Sequence, residues 1–157
     1  MNPAAEATDR ELVSSRAFNA PRELVFRALT DSEHLKNWWG PKGFTNTFQE
    51  FDPRPGRFWR FVMHGPDGKD YQSKHIFVEV AKPDRIVLQH ISGPRFLLTI
   101  TLGEEGGRTR ITWRMFFETT EECANVKTYA VDANEQNFDR LAAELTKMAS
   151  ERPFIKA

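Results

Sequence analysis

Residues Arg108 to Ala149 read RTRITWRMFFETTEECANVKTYAVDANEQNFDRLAAELTKMA, and two periods meet inside them. Ile111, Trp113, Met115 and Phe117 alternate with Arg110, Thr112 and Arg114, the period of a strand with one apolar face. From Thr119, with Glu122 three residues on as a capping signal, the period lengthens. Ala130, Phe138, Leu141, Leu145 and Met148 then make a helical stripe. A sheet that is apolar on one side must be covered, and this segment predicts its cover: one long helix, or a short helix leading into a long one.

The same alternation extends upstream. Phe96, Leu98, Ile100 and Leu102 oppose Thr99 and Thr101. Four earlier stretches, FTNTFQEFD, GRFWRFVMHG, DYQSKHIFVEVA and DRIVLQHIS, also read as strands. RPG, GPDGK, KPD, SGP and EEGG separate them with turn chemistry. Connections this short favour antiparallel hairpins. Before them ELVSSRAF predicts a first strand. NAPRELVFRALTD predicts a helix with Pro21 in its first turn, and SEHLKNWW a second, with Thr30 and Glu33 as its capping box. Gly40-Pro41 ends that helix, and Leu35, Trp38 and Trp39 share its apolar face. The predicted fold is α+β in the order β-α-α-β6-α: a curved antiparallel sheet of about seven strands wrapped on a long C-terminal helix. Residues 1–9 read as a disordered tail and 10–152 as a single domain.

The chain has 157 residues, 22 basic and 22 acidic, so its formal charge is zero. That balance argues against a nucleic-acid or anionic-membrane partner. No apolar run is long enough to span a bilayer, and the polar start MNPAAEATDRE is unlike a signal peptide, so a cytoplasmic location is expected. The single Cys123 reads as a small, half-buried apolar residue. Thirteen Phe and four Trp against two Tyr suit a thick core or an apolar cavity.

The stretches FNAPRELVFRALTDSEHLKNWWGPKGFT, DPRPGRFWRFVMHGPDGKDY, HIFVEVAKPDRIVLQH and NFDRLAAEL together resemble the helix-grip fold of the START and pollen-allergen-like superfamily, SRPBCC. More narrowly, WWGPKGFT with GPDGKDY resembles the family named for a homologue of the activator of the ninety-kilodalton heat-shock-protein ATPase. The resemblance covers residues from about 11 to 148. It implies an apolar cavity between sheet and long helix, with the first two helices and the loops at its mouth. One of Trp38 and Trp39 would then pack into the wall and the other cap the entrance.

Wall candidates by alternation are Trp59, Phe61, Met63, Phe77, Leu98, Trp113 and Met115, although the same rings can simply fill a core. His75, Asn134 and Phe138 complete the candidate site with the two tryptophans. Tyr129, Asn134 and Asn137 are polar groups on the helix that either orient a ligand or face solvent. The phase of strand 57–64 is open: in the other phase Phe58, Arg60, Val62 and His64 point inward. His34 and His64 read as surface residues. His75 and His90 can face one another across the sheet, solvent-facing or hydrogen-bonded. No metal site, cofactor motif or nucleophile pattern is found.

These readings predict a binder of a small hydrophobic, aromatic or lipid-like ligand with no defined catalysis. An interaction domain of the co-chaperone kind is the first alternative. The compact chain, without the second domain that chaperone activators carry, counts against a chaperone partner. A cyclase- or hydrolase-type enzyme is the second alternative, with His75, His90, Asp132 and Glu79 as its available groups. An exposed Trp or an edge strand is a possible homodimer contact.

Overall fold

The computed structural model describes residues 9–151. Apart from Asp9, the predicted tail over 1–9 lies outside the described residues, as does residue 152. The elements are β1 (Glu11–Phe18), α1 (Arg22–Thr30), α2 (Ser32–Trp38), β2 (Thr45–Phe51), β3 (Phe58–His64), β4 (Asp70–Ala81), β5 (Arg85–His90), β6 (Phe96–Glu105), β7 (Arg108–Phe117) and α3 (Thr120–Ser150). The strands form one antiparallel sheet in the order β1-β7-β6-β5-β4-β3-β2. This is the predicted α+β helix-grip arrangement, with α3 a single helix.

Alternation decides which face is covered. Ile111, Trp113, Met115 and Phe117 are buried, as are Leu98, Ile100 and Leu102. Against them lies the stripe of α3: Ala130, Phe138, Leu141, Leu145 and Met148, all buried. Each large side chain so enclosed stabilises the fold by about 1.5–3 kcal/mol of transfer free energy. β3 takes the phase that turns Trp59 and Phe61 inward. Arg60 therefore points out and donates from Nε to Glu50 at 2.9 Å. Register shifts in β2 at Phe48/Glu50 and in β4 at Phe77/Glu79 mark bulges, which bend a strand and raise its twist.

Two helix starts differ from the predicted ones. Pro21 is the residue before α1, in extended backbone, not part of its first turn. Asp31, not Thr30, caps α2: its Oδ1 accepts the Glu33 N–H at 3.0 Å. Thr30 is still helical, and its hydroxyl donates back to the Phe26 carbonyl at 2.8 Å. The α3 cap is as predicted, with Thr119 Oγ1 accepting the Glu122 N–H. Cys123 is buried outright instead of half-buried, and burial pushes its thiol pKa up.

Candidate functional site

The site is built around the turn Trp39–Phe44. A chain that reverses this sharply leaves carbonyls without partners, and side chains of α3 supply them. Arg140 Nη1 donates to the carbonyls of Trp39, Gly40 and Pro41 at 3.2, 2.8 and 2.9 Å. Its Nη2 donates to those of Asn37 and Phe44 at 3.0 and 2.9 Å. Asn137 Oδ1 accepts the Gly40 N–H at 2.9 Å, and Gln136 Oε1 accepts the Lys42 N–H. Asn46 Nδ2 adds a bond to the Trp39 carbonyl. One face of α3 thus holds the turn by its backbone.

The two tryptophan rings touch, with centroids 5.7 Å apart, but they face different surroundings. Trp38 is fully enclosed, and its Nε1 donates to the Ala28 carbonyl at 3.0 Å. Trp39, 9% exposed, lies between Trp113 and Trp59, with ring centroids 5.4 and 4.8 Å away. It walls a chamber of about 150 Å³ between sheet and α3. Met63, Phe96, Leu98, Trp113 and Met115 line the chamber from the sheet, and Ala133, Asn134 and Asn137 from the helix. A second hollow of about 460 Å³ shares Pro41, Met63, Phe96, Met115, Ala133 and Asn134 with it. This outer cleft is rimmed by Phe44, Tyr71 and Tyr129, whose rings keep substantial solvent exposure at Tyr71 (43%) and Tyr129 (59%). Among the described residues no Lys, Arg, Asp or Glu side chain lines either hollow.

Beside them an aromatic row crosses five strands, set by the register Trp59↔His75, His75↔His90, His90↔Phe96 and Phe96↔Phe117. Ring centroids along it are 4.9, 4.7, 4.7 and 5.3 Å apart. His90 forms part of the outer cleft. Its Nδ1 donates to the Pro94 carbonyl at 2.7 Å, since a carbonyl oxygen only accepts. Burial lowers the His90 pKa, partly countered by that bond. His75 is sealed in protein with Nδ1 unpartnered. Burial, and then the neighbouring His90, push its pKa well below the usual value. The solvent-facing or hydrogen-bonded histidine expected at position 75 is therefore corrected to a buried one, because the β3–β5 register places it under Trp39 and Trp59.

His34, expected on the surface, is half-buried: its Nδ1 lies 2.9 Å from Oε2 of the buried Glu144, which also accepts from Asn37 Nδ2. His64 stays at the surface between Thr47 Oγ1 and Asp70 Oδ1. Of the twelve candidate site residues, Trp39, Met63, Leu98, Trp113, Met115 and Asn134 stand around the chamber. Trp38, Trp59, Phe61, Phe77 and Phe138 are fully packed in the core, and His75 lies among them. Asn137 joins the chamber wall, whereas Tyr129 stays at the exposed rim.

The wall also includes Gly40, Pro41 and Ala133, small residues that alternation and aromatic content do not flag. Of the acid–base candidates only His75 and His90 meet; Glu79 pairs with Arg85 and Asp132 accepts from Gln136. Among the described residues no group of three or more His, Cys, Asp or Glu is placed to hold a metal ion. Also among them, no helix is long and apolar enough to cross a membrane. The chemistry on offer in the chamber is dispersion from rings and thioethers plus neutral hydrogen bonds.

Several solved structures share this architecture. A protein from Nitrosomonas europaea is 23% identical with a TM-score of 0.82, the match covering 89% of this chain and 96% of that one. One from Arthrobacter aurescens is 20% identical with a TM-score of 0.83, covering 96% and 95%. A Silicibacter pomeroyi protein named for the same heat-shock ATPase activator is 21% identical with a TM-score of 0.71, covering 87% and 98%. At these identities the likeness is one of fold. No curated protein matches the chain significantly. A family model does match, over residues 19–146, and with it the chain belongs to the family described as activator of Hsp90 ATPase homolog 1-like protein.

Proposed function

We propose that this protein binds a small hydrophobic ligand in the chamber and outer cleft between sheet and α3, without transforming it. The single observation that supports this reading is the unfilled chamber of about 150 Å³ beside a core packed elsewhere with large rings. Cores are close-packed, and voids larger than a water molecule are few per domain. The hollow is open toward solvent on one side, and its volume is that of an apolar cavity able to accept a benzene-sized ring. Among the described residues no Lys, Arg, Asp or Glu lines the walls, which favours an apolar occupant, and of the acid–base candidates only His90 stands there, its Nδ1 engaged by the Pro94 carbonyl.

Native mass spectrometry of protein purified without added ligand, followed by calorimetric titration with propylbenzene, tests the reading. A co-purified mass or saturable binding is expected, with binding lost in Ala133→Trp, which plugs the wall common to both hollows. A clean mass and no heat of binding would overturn it. The exposed rings of Tyr71 and Tyr129 would then favour the interaction-domain reading implied by the family's description, testable by pull-down with the chaperone.

A further inference from the structure

Asn134 and Asn137 are one turn apart on the face of α3 that meets the sheet, 8% and 6% exposed. Both stand in the wall of the chamber. Their amides are only half used. The Gly40 N–H can only donate, so it holds Asn137 Oδ1 toward the turn and leaves Nδ2 without a partner. Asn134 Nδ2 donates to Ser14 Oγ at 3.2 Å and reaches Met115 Sδ at 3.6 Å, which leaves Oδ1 without one. Among the described residues three side-chain atoms are sealed in protein unpaired, Asn46 Oδ1, Trp59 Nε1 and His75 Nδ1, and neither asparagine atom is one of them. Both atoms therefore keep open surface, and the open space beside both residues is the chamber.

A buried amide atom without a partner is costly. Here one donor and one acceptor open into an otherwise apolar hollow walled by Trp39, Trp113, Phe96 and two methionines, where an apolar occupant alone would cover them unpaired. A hydroxyl group satisfies both at once, accepting from Asn137 Nδ2 and donating to Asn134 Oδ1. A carboxylate only accepts, would leave Asn134 Oδ1 unpaired, and finds no cation in the wall.

Building on the binding reading above, we infer that the ligand is an uncharged ring compound with a hydroxyl group. The ring lies among Trp39, Trp113 and Phe96, and the hydroxyl is held between Asn134 and Asn137. Any apolar extension of the ring runs into the outer cleft.

Calorimetric titration of the intact protein with propylbenzene, 4-propylphenol and 4-propylbenzoate separates this inference from the reading it rests on. The phenol is expected to bind about tenfold tighter than propylbenzene, on the order of one well-made hydrogen bond. The benzoate is expected to bind more weakly than either. Asn134→Leu, close to the same size, should erase the phenol's advantage over propylbenzene when both probes are titrated against that same variant. Equal affinity for phenol and propylbenzene, or tighter benzoate binding, overturns the hydroxyl assignment and leaves the binder standing. A phenol preference that persists in Asn134→Leu also overturns it. Failure of all three probes to bind overturns both.

Discussion

Arg140 Nη1 lies 2.8 Å from the carbonyl oxygen of Gly40, and this bond is one of five that a single guanidinium makes to the backbone of residues 37–44. Burial lowers the arginine's pKa, but a guanidinium remains charged at any physiological pH. The carbonyls at the end of α2 and in the turn behind it are the groups a helix end leaves unpaired, and they attract a cation. Arg140 therefore connects α3 to the wall of the chamber.

Arg140→Ala is expected to destabilise the protein by about 3 kcal/mol, because several half-buried carbonyls lose their donors together. Arg140→Lys should recover only part of the loss, since one ammonium cannot fork across five acceptors. Urea unfolding of the three proteins measures both. Equal stability of the alanine variant and the parent would show that water serves these carbonyls as well as the arginine does.

Gly40 has φ +103°, and a Cβ built there would lie 2.8 Å from Met63 Cε and 3.3 Å from Phe44 Cβ. Gly40→Ala is expected to cost about 1–3 kcal/mol from the left-handed backbone and the close approach. Because Met63 belongs to both hollows, the same substitution should weaken propylbenzene binding. Thermal melts and titration of the purified variant check the two effects separately.

Much of the fold was legible because side-chain period reports directly on burial. Ile111 to Phe117 and Ala130 to Met148 declare a one-faced sheet and its covering helix, and turn residues mark every hairpin. The site was legible only in part. Arg140, Asn137 and Gln136 bind backbone atoms, and a backbone carbonyl has no signature in the sequence of the segment that offers it. The pairing of His34 with Glu144 spans 110 residues and depends on how α2 crosses α3, which neither helix announces. Large rings marked the apolar interior correctly. They did not distinguish Trp59 and Phe61, stacked on each other, and Phe77, packed on Phe51, from Trp113 and Met115 beside open space, because that difference lies in what the neighbours leave unfilled.

The adjacent tryptophans should respond differently to the same change. Trp38 donates to the Ala28 carbonyl near the end of α1, so Trp38→Phe removes a buried bond as well as volume. A loss of about 2 kcal/mol is expected with little change in probe affinity. Trp39→Phe alters the chamber wall, so it should change probe affinity severalfold at a smaller cost in stability. Unfolding and titration of both variants test this division, and a reversed pattern would place the open space on the wrong side of the pair.

His75 gives the protein a pH dependence whose direction follows from burial. Its pKa in the folded state is depressed well below 6.5 by desolvation and the adjacent His90. The unfolded chain therefore binds a proton near pH 6.5 that the folded one refuses. Stability is fully present above that pH and falls as the pH drops toward the folded value. Between pH 6.5 and 5.5 one such group accounts for about 1 kcal/mol. His90, lowered in the same direction, adds to the slope. His75→Phe keeps an aromatic ring against Trp59 and removes the titrating group, so its urea midpoint should change less between pH 7.5 and 5.5 than the parent's. If the two proteins lose stability in parallel over that range, His75 accepts its proton in the folded state, and the sealed pocket around it must open to water.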